Sequence, residues 1–347
     1  MQVIRFGIDL AKSVFQVHGV GAAGEVVVQR QLRRGQVLAF FARQPPALIG
    51  MEACGSAHYW ARELTRLGHE VKLMPASYVK AYVRRSKNDA RDAEAACEAV
   101  SRPTMSFVPI KSVERQCSRA IHRSRDLLVR QRTQAANAIR GLLYEMGLIG
   151  AKGAGGFTAL LQRVEAGDTA IPAALMVSLA PLARQWRALD AEIGQLDGAI
   201  TFQIRQSPVA RRLMKVPGVG PISAHAVICA IGDGSQFDSG RDFAAWVGLT
   251  RRNHDTGGKT RLTGHITKAG DQALRRLLVL GASSWLRHVR ARSPSQAKPN
   301  TAWVRGVLAR RPVKVAVVAQ AAKTARIIWA MLRSGQEYAY RAPVTAA

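Results

Sequence analysis

Val3-Ile4-Arg5-Phe6-Gly7-Ile8-Asp9 is an apolar run of strand length that ends on a carboxylate. An acid at the end of a buried strand is costly unless it is paired or bound to a cation. Further strands are predicted over Val14 to Val20 and Glu25 to Leu32, parted by the Gly-Ala-Ala-Gly turn at 21–24. Gln36 to Arg43 reads as a helix closed by Pro45-Pro46, and Ala47 to Met51 as another short buried strand. Ala57 to Leu67 is an amphipathic helix stopped by Gly68, and Glu70 to Met74 a strand ended by Pro75. Three strands with hairpin-length links, followed by strands alternating with helices, predict an α/β sheet of mixed direction.

The acids of this region are few. Before residue 52 there are only Asp9 and Glu25. Glu52 ends the apolar strand Ile49-Gly50-Met51 as Asp9 ends the first, so two strands of one sheet bring carboxylates to one edge. Asp89 and Asp92 open a helix in Lys87-Asn88-Asp89-Ala90-Arg91-Asp92-Ala93. Their i, i+3 spacing sets them on one face, with Cβ atoms about 5–6 Å apart. Together Asp9, Glu52, Asp89 and Asp92 make an all-oxygen donor set suited to Mg²⁺ or Mn²⁺. Two such ions activate the attacking oxygen and stabilise the leaving one in phosphodiester cleavage. A plainer reading stays open: first-turn acids favoured by the helix dipole, and a glutamate that serves the following helix.

Residues 111–206 lack strand signals. Val113 to Met146 is long, polar and rich in Arg, Gln and Ala; a Gly-rich break over 147–156 precedes a second helical run from Pro172 to Arg205. Each has an apolar stripe too narrow to stand alone, which predicts an antiparallel hairpin or coiled-coil arm. From Ser207 the chain reads as helical and strongly basic. Between Asp271 and Glu337 there are 13 Lys or Arg and no acid. The domains expected are thus 1–110, 111–206 and 207–347.

Lys plus Arg number 51 against 23 Asp plus Glu, a formal charge of +28. A folded chain with that excess repels itself unless a polyanion neutralises it, so a nucleic acid is the expected partner. Cys54, Cys97, Cys117 and Cys229 form no CxxC pair, and neither a zinc site nor a disulfide framework is indicated. The apolar stretch Val313 to Met331 is broken by Lys314, Gln320, Lys323 and Arg326, unlike a lipid-spanning helix. With a strand pattern at the start rather than a leader, a cytoplasmic protein is expected. Val216-Pro217-Gly218-Val219-Gly220 reads as a helix–hairpin–helix turn. Backbone N–H groups around Gly218 and Gly220 suit a phosphate, though a bare turn between helices has the same signature.

The combination of GIDLAK at 7–12, IGMEACGS at 49–56 and KNDARDA at 87–93 resembles the DEDD motif of one family of bacterial transposases, insertion-sequence family one hundred and ten, which includes the pilin-gene invertase. The likeness continues through VPGVGPISAHAV at 216–227, FAAWVGLTRR at 243–252 and DTGGKTRLTGHITKAGDQALRRLLV at 255–279, and so spans nearly the whole chain. The resemblance implies an RNase H-like (RuvC-like) N-terminal domain and a recombinase guided by a structured noncoding RNA that pairs with donor and target DNA. It also implies dimers and tetramers in which the RuvC-like domain of one subunit faces the transposase domain of another, in a bacterial, nucleoid-associated protein. Position by position, Asp9, Glu52, Asp89 and Asp92 match the four acids. The family's covalent nucleophile is a serine before a Gly-rich turn; here Thr256 holds that position, ahead of Gly257-Gly258. Thr256 then either attacks phosphorus, caps the turn, or marks a copy that no longer reacts.

Around Thr256, Arg251, Arg252, Lys259 and Arg261 are suited to phosphate charge, and Gly257 and Gly258 let backbone come close to a ligand. Lys268, Arg275 and Arg276 continue the basic stretch as candidate nucleic-acid contacts. Two other functions fit the same residues. One is a RuvC-like nuclease that uses water; the other is a nucleic-acid binder without catalysis.

Overall fold

The computed structural model describes residues 2–83, 88–257, 259–293 and 299–340, without the side chains of 254–256 and 259–263. The chain divides into two compact units, Met1–Gln116 and Cys117–Ala347. The basic helical region and most of the helical arm therefore belong to one unit.

In the first unit the elements are β1 (Arg5–Asp9), β2 (Val14–Val20), β3 (Val26–Arg33), α1 (Val37–Phe41), β4 (Leu48–Glu52), α2 (Ala57–Arg66), β5 (Glu70–Met74), α3 (Ala76–Val79) and α4 (Asp89–Ala99). The five strands form one sheet in the order β3-β2-β1-β4-β5. β1, β2 and β3 run antiparallel, whereas β4 and β5 run parallel to β1. This mixed sheet with helices is consistent with an RNase H-like domain.

Alternation along β1 and β4 sorts their residues onto two faces. Phe6, Ile8, Ile49 and Met51 pack with Phe15, Phe41, Trp60, Leu64 and Leu73 in a core under α1 and α2. The other face carries glycines, and α4 lies on it. A Cβ at Gly7 would stand 2.0 Å from the carbonyl oxygen of Ala93, and one at Gly50 would stand 2.7 Å from that of Ala96. Ala93, Ala95, Ala96 and Ala99 keep the helix side equally slim. Backbone thus meets backbone, and that contact sets where α4 begins. Replacing Gly7 with Val is expected to destabilise this unit by about 3 kcal/mol, the upper end for overpacking, because helix backbone has no rotamer through which to yield. Denaturant titration beside Gly35→Ala, where a Cβ meets nothing within 4 Å, checks this.

The second unit opens with α5 (Val113–Glu145), followed by α6 (Ala154–Glu165) and α7 (Ala173–Gln206). α5 and α7 are antiparallel. Ser118 donates to Gln203, Arg125 pairs with Asp197 and Arg132 with Asp190, so contacts recur every seven residues along α5. α6 covers the far end, where Ile139, Leu143, Phe157, Leu160, Leu161 and Leu179 form a separate small core. No local signal marks this helix, because its glycine-rich start reads as part of the break.

Beyond the arm come α8 (Pro208–Leu213), α9 (Pro221–Ile231), α10 (Gly240–Trp246), β6 (Arg251–Thr256), β7 (Lys259–Ile266), α11 (Gln272–Ala291), α12 (Ala302–Leu308) and α13 (Val313–Ser334). Their helices enclose a core that includes Phe243, Val247, Leu278, Leu286, Val304, Ala321 and Ile328. α13 is the one helix among the described residues long and apolar enough to cross a membrane. It buries Ala316, Ala321, Ala325 and Ile328 in this core. The region from Ser207, expected to be mainly helical, is so except for β6 and β7, which form an antiparallel hairpin. Its residues are nearly all polar, so no apolar alternation signals strands.

Candidate metal centre and nucleic-acid surface

The two-residue period that points Gly7 and Gly50 at α4 also points Asp9 and Glu52 to that side, two residues further on. Gly7 pairs with Gly50 and Ile8 with Met51, so Asp9 and Glu52 end neighbouring strands at one sheet edge. α4 starts there. Asn88 caps it by accepting from the Ala90 N–H at 3.0 Å, and Asp89 and Asp92 stand in its first turn. Oxygens of Asp9, Asp89 and Asp92 all lie within 4.8 Å of one another. Glu52 stands outside that trio, on the adjacent strand. Its field is nonetheless shared: the Cys54 thiol is pushed up from its ordinary range by burial first, then by Glu52 and by Asp9.

Three carboxylates so close repel one another, and an oxygen-only donor set meets that cost best with a hard cation. The residues present fit a divalent ion. First-turn acids alone would not need Asp9, which comes from a strand some eighty residues earlier in the chain.

In the second unit Thr256 closes β6, pairing in register with Lys259. Gly257 forms the turn at φ +57°, a left-handed conformation that glycine adopts without strain. Gly258 lies outside the described residues, as do the side chains of Thr256, Lys259 and Arg261. Arg251, Arg252 and Lys268 are exposed. Arg275 is occupied internally: its guanidinium donates to the carbonyls of Val247 at 2.9 Å and Ala269 at 2.5 Å, which ties the loop before α11 to the end of α10. Arg276 pairs with Asp126 on α5. Arg287, Arg290, Arg310 and Arg311 are exposed.

Gly218 turns between α8 and α9 at φ +82°. Its turn rests on α11 backbone, since a Cβ at Gly281 would come within 1.9 Å of the Gly218 oxygen. Gly220 precedes α9 with no side-chain cap, and Pro221, which has no N–H, opens the helix, so the first-turn N–H groups of Ile222 and Ser223 have no side-chain cap. A cavity of about 570 Å³ opens beside this turn, lined by Lys215, Gly218, Gly220, Ser284, Trp285 and His288. Gly281 and His288 escaped the sequence reading, because only the fold brings α11 to the hairpin.

A second cluster of ligand-type side chains lies among α5, α7 and α9, formed by His122, His225 and Cys229. The spacing of the cysteines alone gave no hint of it; the available signal was His225 and Cys229 four apart on one helix. Burial first, then the charges of His225 and Arg125, pull the His122 imidazole down to about 4, and burial lowers His225 as well.

A family model described as Transposase IS116/IS110/IS902 family matches residues 210–298, and a DEDD transposase model of IS110 type matches residues 6–147. A "Probable family 20 transposase" of Pseudomonas aeruginosa is 48% identical over 98% of this chain and 99% of its own length. A "Transposase for insertion sequence element IS1328" of Yersinia enterocolitica is 37% identical over 96% of this chain and 98% of its own. A "Pilin gene-inverting protein" of Moraxella bovis is 34% identical over 26% of this chain and 29% of its own. With a mixed sheet whose edge gathers Asp9, Asp89 and Asp92, and with a relative alike from end to end, this chain belongs to the IS110 family of transposases, enzymes that cleave and transfer DNA strands.

Proposed function

We propose that the protein is an RNA-guided DNA transposase that cuts and rejoins DNA strands through the Asp9, Glu52, Asp89 and Asp92 cluster together with the hydroxyl of Thr256. The observation that carries this reading is the convergence of Asp9, Asp89 and Asp92 within 4.8 Å at the sheet edge. These acids would hold Mg²⁺ or Mn²⁺, with Glu52 completing the donor set; bound there, the ions would neutralise charge on a phosphodiester and its leaving oxygen. Thr256 Oγ1 would attack phosphorus as its proton passes to solvent, the bond from phosphorus to a deoxyribose oxygen breaks, that oxygen takes up a proton and leaves as a hydroxyl, and a phosphothreonine link holds the other end. A deoxyribose hydroxyl of the second DNA then attacks that link and frees Thr256. Gly257 at φ +57° gives the chain a tight turn directly beside this position.

Arg251, Arg252, Lys259, Arg261 and Lys268 would neutralise phosphates, and the hairpin at Gly218 and Gly220 would receive another through the uncapped N–H groups that start α9. Arg275 and Arg276 serve the reading differently, by fixing the loop before α11 and by bracing α11 on α5. Donor and target DNA, a structured noncoding RNA and a homo-oligomer complete it. Reconstitution tests the guided reading. Full-length protein with RNA transcribed from the DNA flanking its gene is expected to exchange strands only between DNAs that match the RNA loops. Exchange that ignores the RNA sequence, or needs no RNA, overturns it.

A further inference from the structure

We propose that His122, His225 and Cys229 form a second metal site, chemically unlike the carboxylate cluster, that takes a borderline transition cation such as Zn²⁺ and clamps α5 onto α9. The three ligand atoms lie within 4.8 Å of one another. His225 and Cys229 are nearly buried, at 6% and 4% exposed. Four residues apart on α9, they share one helical face. Cys229 Sγ stands 3.8 Å from His225 Nδ1, and His122 Nε2 stands 2.8 Å from the same nitrogen. Tetrahedral bonds of about 2.0–2.1 Å to nitrogen and 2.3 Å to sulfur set neighbouring ligand atoms roughly 3.3–3.6 Å apart. The sulfur distance is already close. The two imidazoles need to open by about half an ångström.

The surroundings orient the ligands. His225 Nε2 lies 2.7 Å from Gln203 Oε1, which also accepts from the Ser118 hydroxyl at 3.2 Å. An oxygen accepting from both fixes the proton on His225 Nε2 and leaves the Nδ1 lone pair pointing at His122, while the thiol, 3.7 Å from Nε2 and 3.8 Å from Nδ1, lies beside the ring, so the imidazole turns toward it to share an ion on Nδ1. Ligand imidazoles are held in this way by an outer hydrogen bond. Without metal, His122 Nε2–H donates to His225 Nδ1. On binding, that proton moves to His122 Nδ1, and Cys229 loses its thiol proton to solvent, one proton released per ion.

Nearby cations do not forbid the site. Arg119 is paired with Asp271 at 2.7 Å, Arg125 with Asp197 and Arg276 with Asp126. His122 and Cys229 line a cavity of about 410 Å³. The cavity gives an ion a way in and space for water as fourth ligand. Three protein ligands plus one open position is a known zinc arrangement.

The test uses reduced full-length protein stripped of metal, with excess Mg²⁺ present to occupy the carboxylates. Zn²⁺ alone is expected to bind one ion at this site and to slow alkylation of Cys229 by about tenfold or more, since a metal-held thiolate is no longer a free nucleophile. Mapping each cysteine by mass spectrometry separates Cys229 from Cys54, which stands beside the acids. Co²⁺ is expected to give a thiolate charge-transfer band that disappears in Cys229→Ser. Gln203→Leu, which keeps all three ligands, is expected to weaken binding by about 10–100-fold. Equal alkylation of Cys229 with and without Zn²⁺ overturns the proposal. So does a Co²⁺ band unchanged in Cys229→Ser. Should either variant fail to fold, alkylation of the unaltered protein still decides.

Discussion

Asp9→Asn is expected to lower divalent-metal-dependent strand cleavage by about 10³-fold or more, while raising the melting temperature in metal-free buffer. The loss follows from what a metal at a phosphodiester contributes, several kcal/mol at about 1.4 kcal/mol per factor of ten. Asp9 is the sensitive choice because a strand end holds it, half-buried, against two acids of the first turn of α4. Asparagine keeps the shape and removes the charge, so repulsion among the three carboxylates falls when no cation is bound. The same change cancels the benefit of the cation. For the unaltered chain, melting temperature should climb with Mg²⁺ and level off, as any ligand bound only to the folded state requires. For Asp9→Asn it should start higher and stay flat. Cleavage assays and melting curves with and without Mg²⁺ check both halves. Retained cleavage with an unaltered Mg²⁺ response would reduce Asp89 and Asp92 to ordinary helix-start acids.

Thr256→Ala is expected to abolish the covalent protein–DNA adduct and lower strand transfer by about 10⁴-fold or more, the scale on which enzymes lose rate with their nucleophile. Thr256→Ser should keep the adduct, and form it faster, because a serine lacks the methyl that crowds in-line approach to phosphorus. The pair of variants separates two chemistries. A nuclease that uses water keeps cutting in Thr256→Ala and never shows an adduct in Thr256→Ser. Denaturing gels of labelled DNA, which retain only covalent complexes, read the result directly. RNA and DNA binding should be unchanged in both, since the proposed phosphate contacts are those of Arg251, Arg252, Lys268 and their neighbours.

Much of the acidic edge was legible along the chain. Asp9 and Glu52 each end an apolar run, and a two-residue period is enough to place both on one side of a sheet. The long helices α5 and α7 were legible for a similar reason, because a narrow apolar stripe at helical period is a local pattern. The hairpin of β6 and β7 was not legible, since a ribbon of almost wholly polar residues has no apolar alternation. The start of α6 hid in glycines, which read as a break.

Strands, helices, excess positive charge and four acids at element ends follow from the sequence by itself, because each is a local pattern set by backbone geometry. The tertiary structure decided which of those acids meet. Asp89 reaches Asp9 only because Gly7 and Gly50 let α4 lie backbone-to-backbone on the sheet. His122 reaches His225 across 103 residues for the same kind of reason, and Gly218 reaches Gly281. Close packing between distant segments depends on both surfaces at once, and no window of sequence contains both.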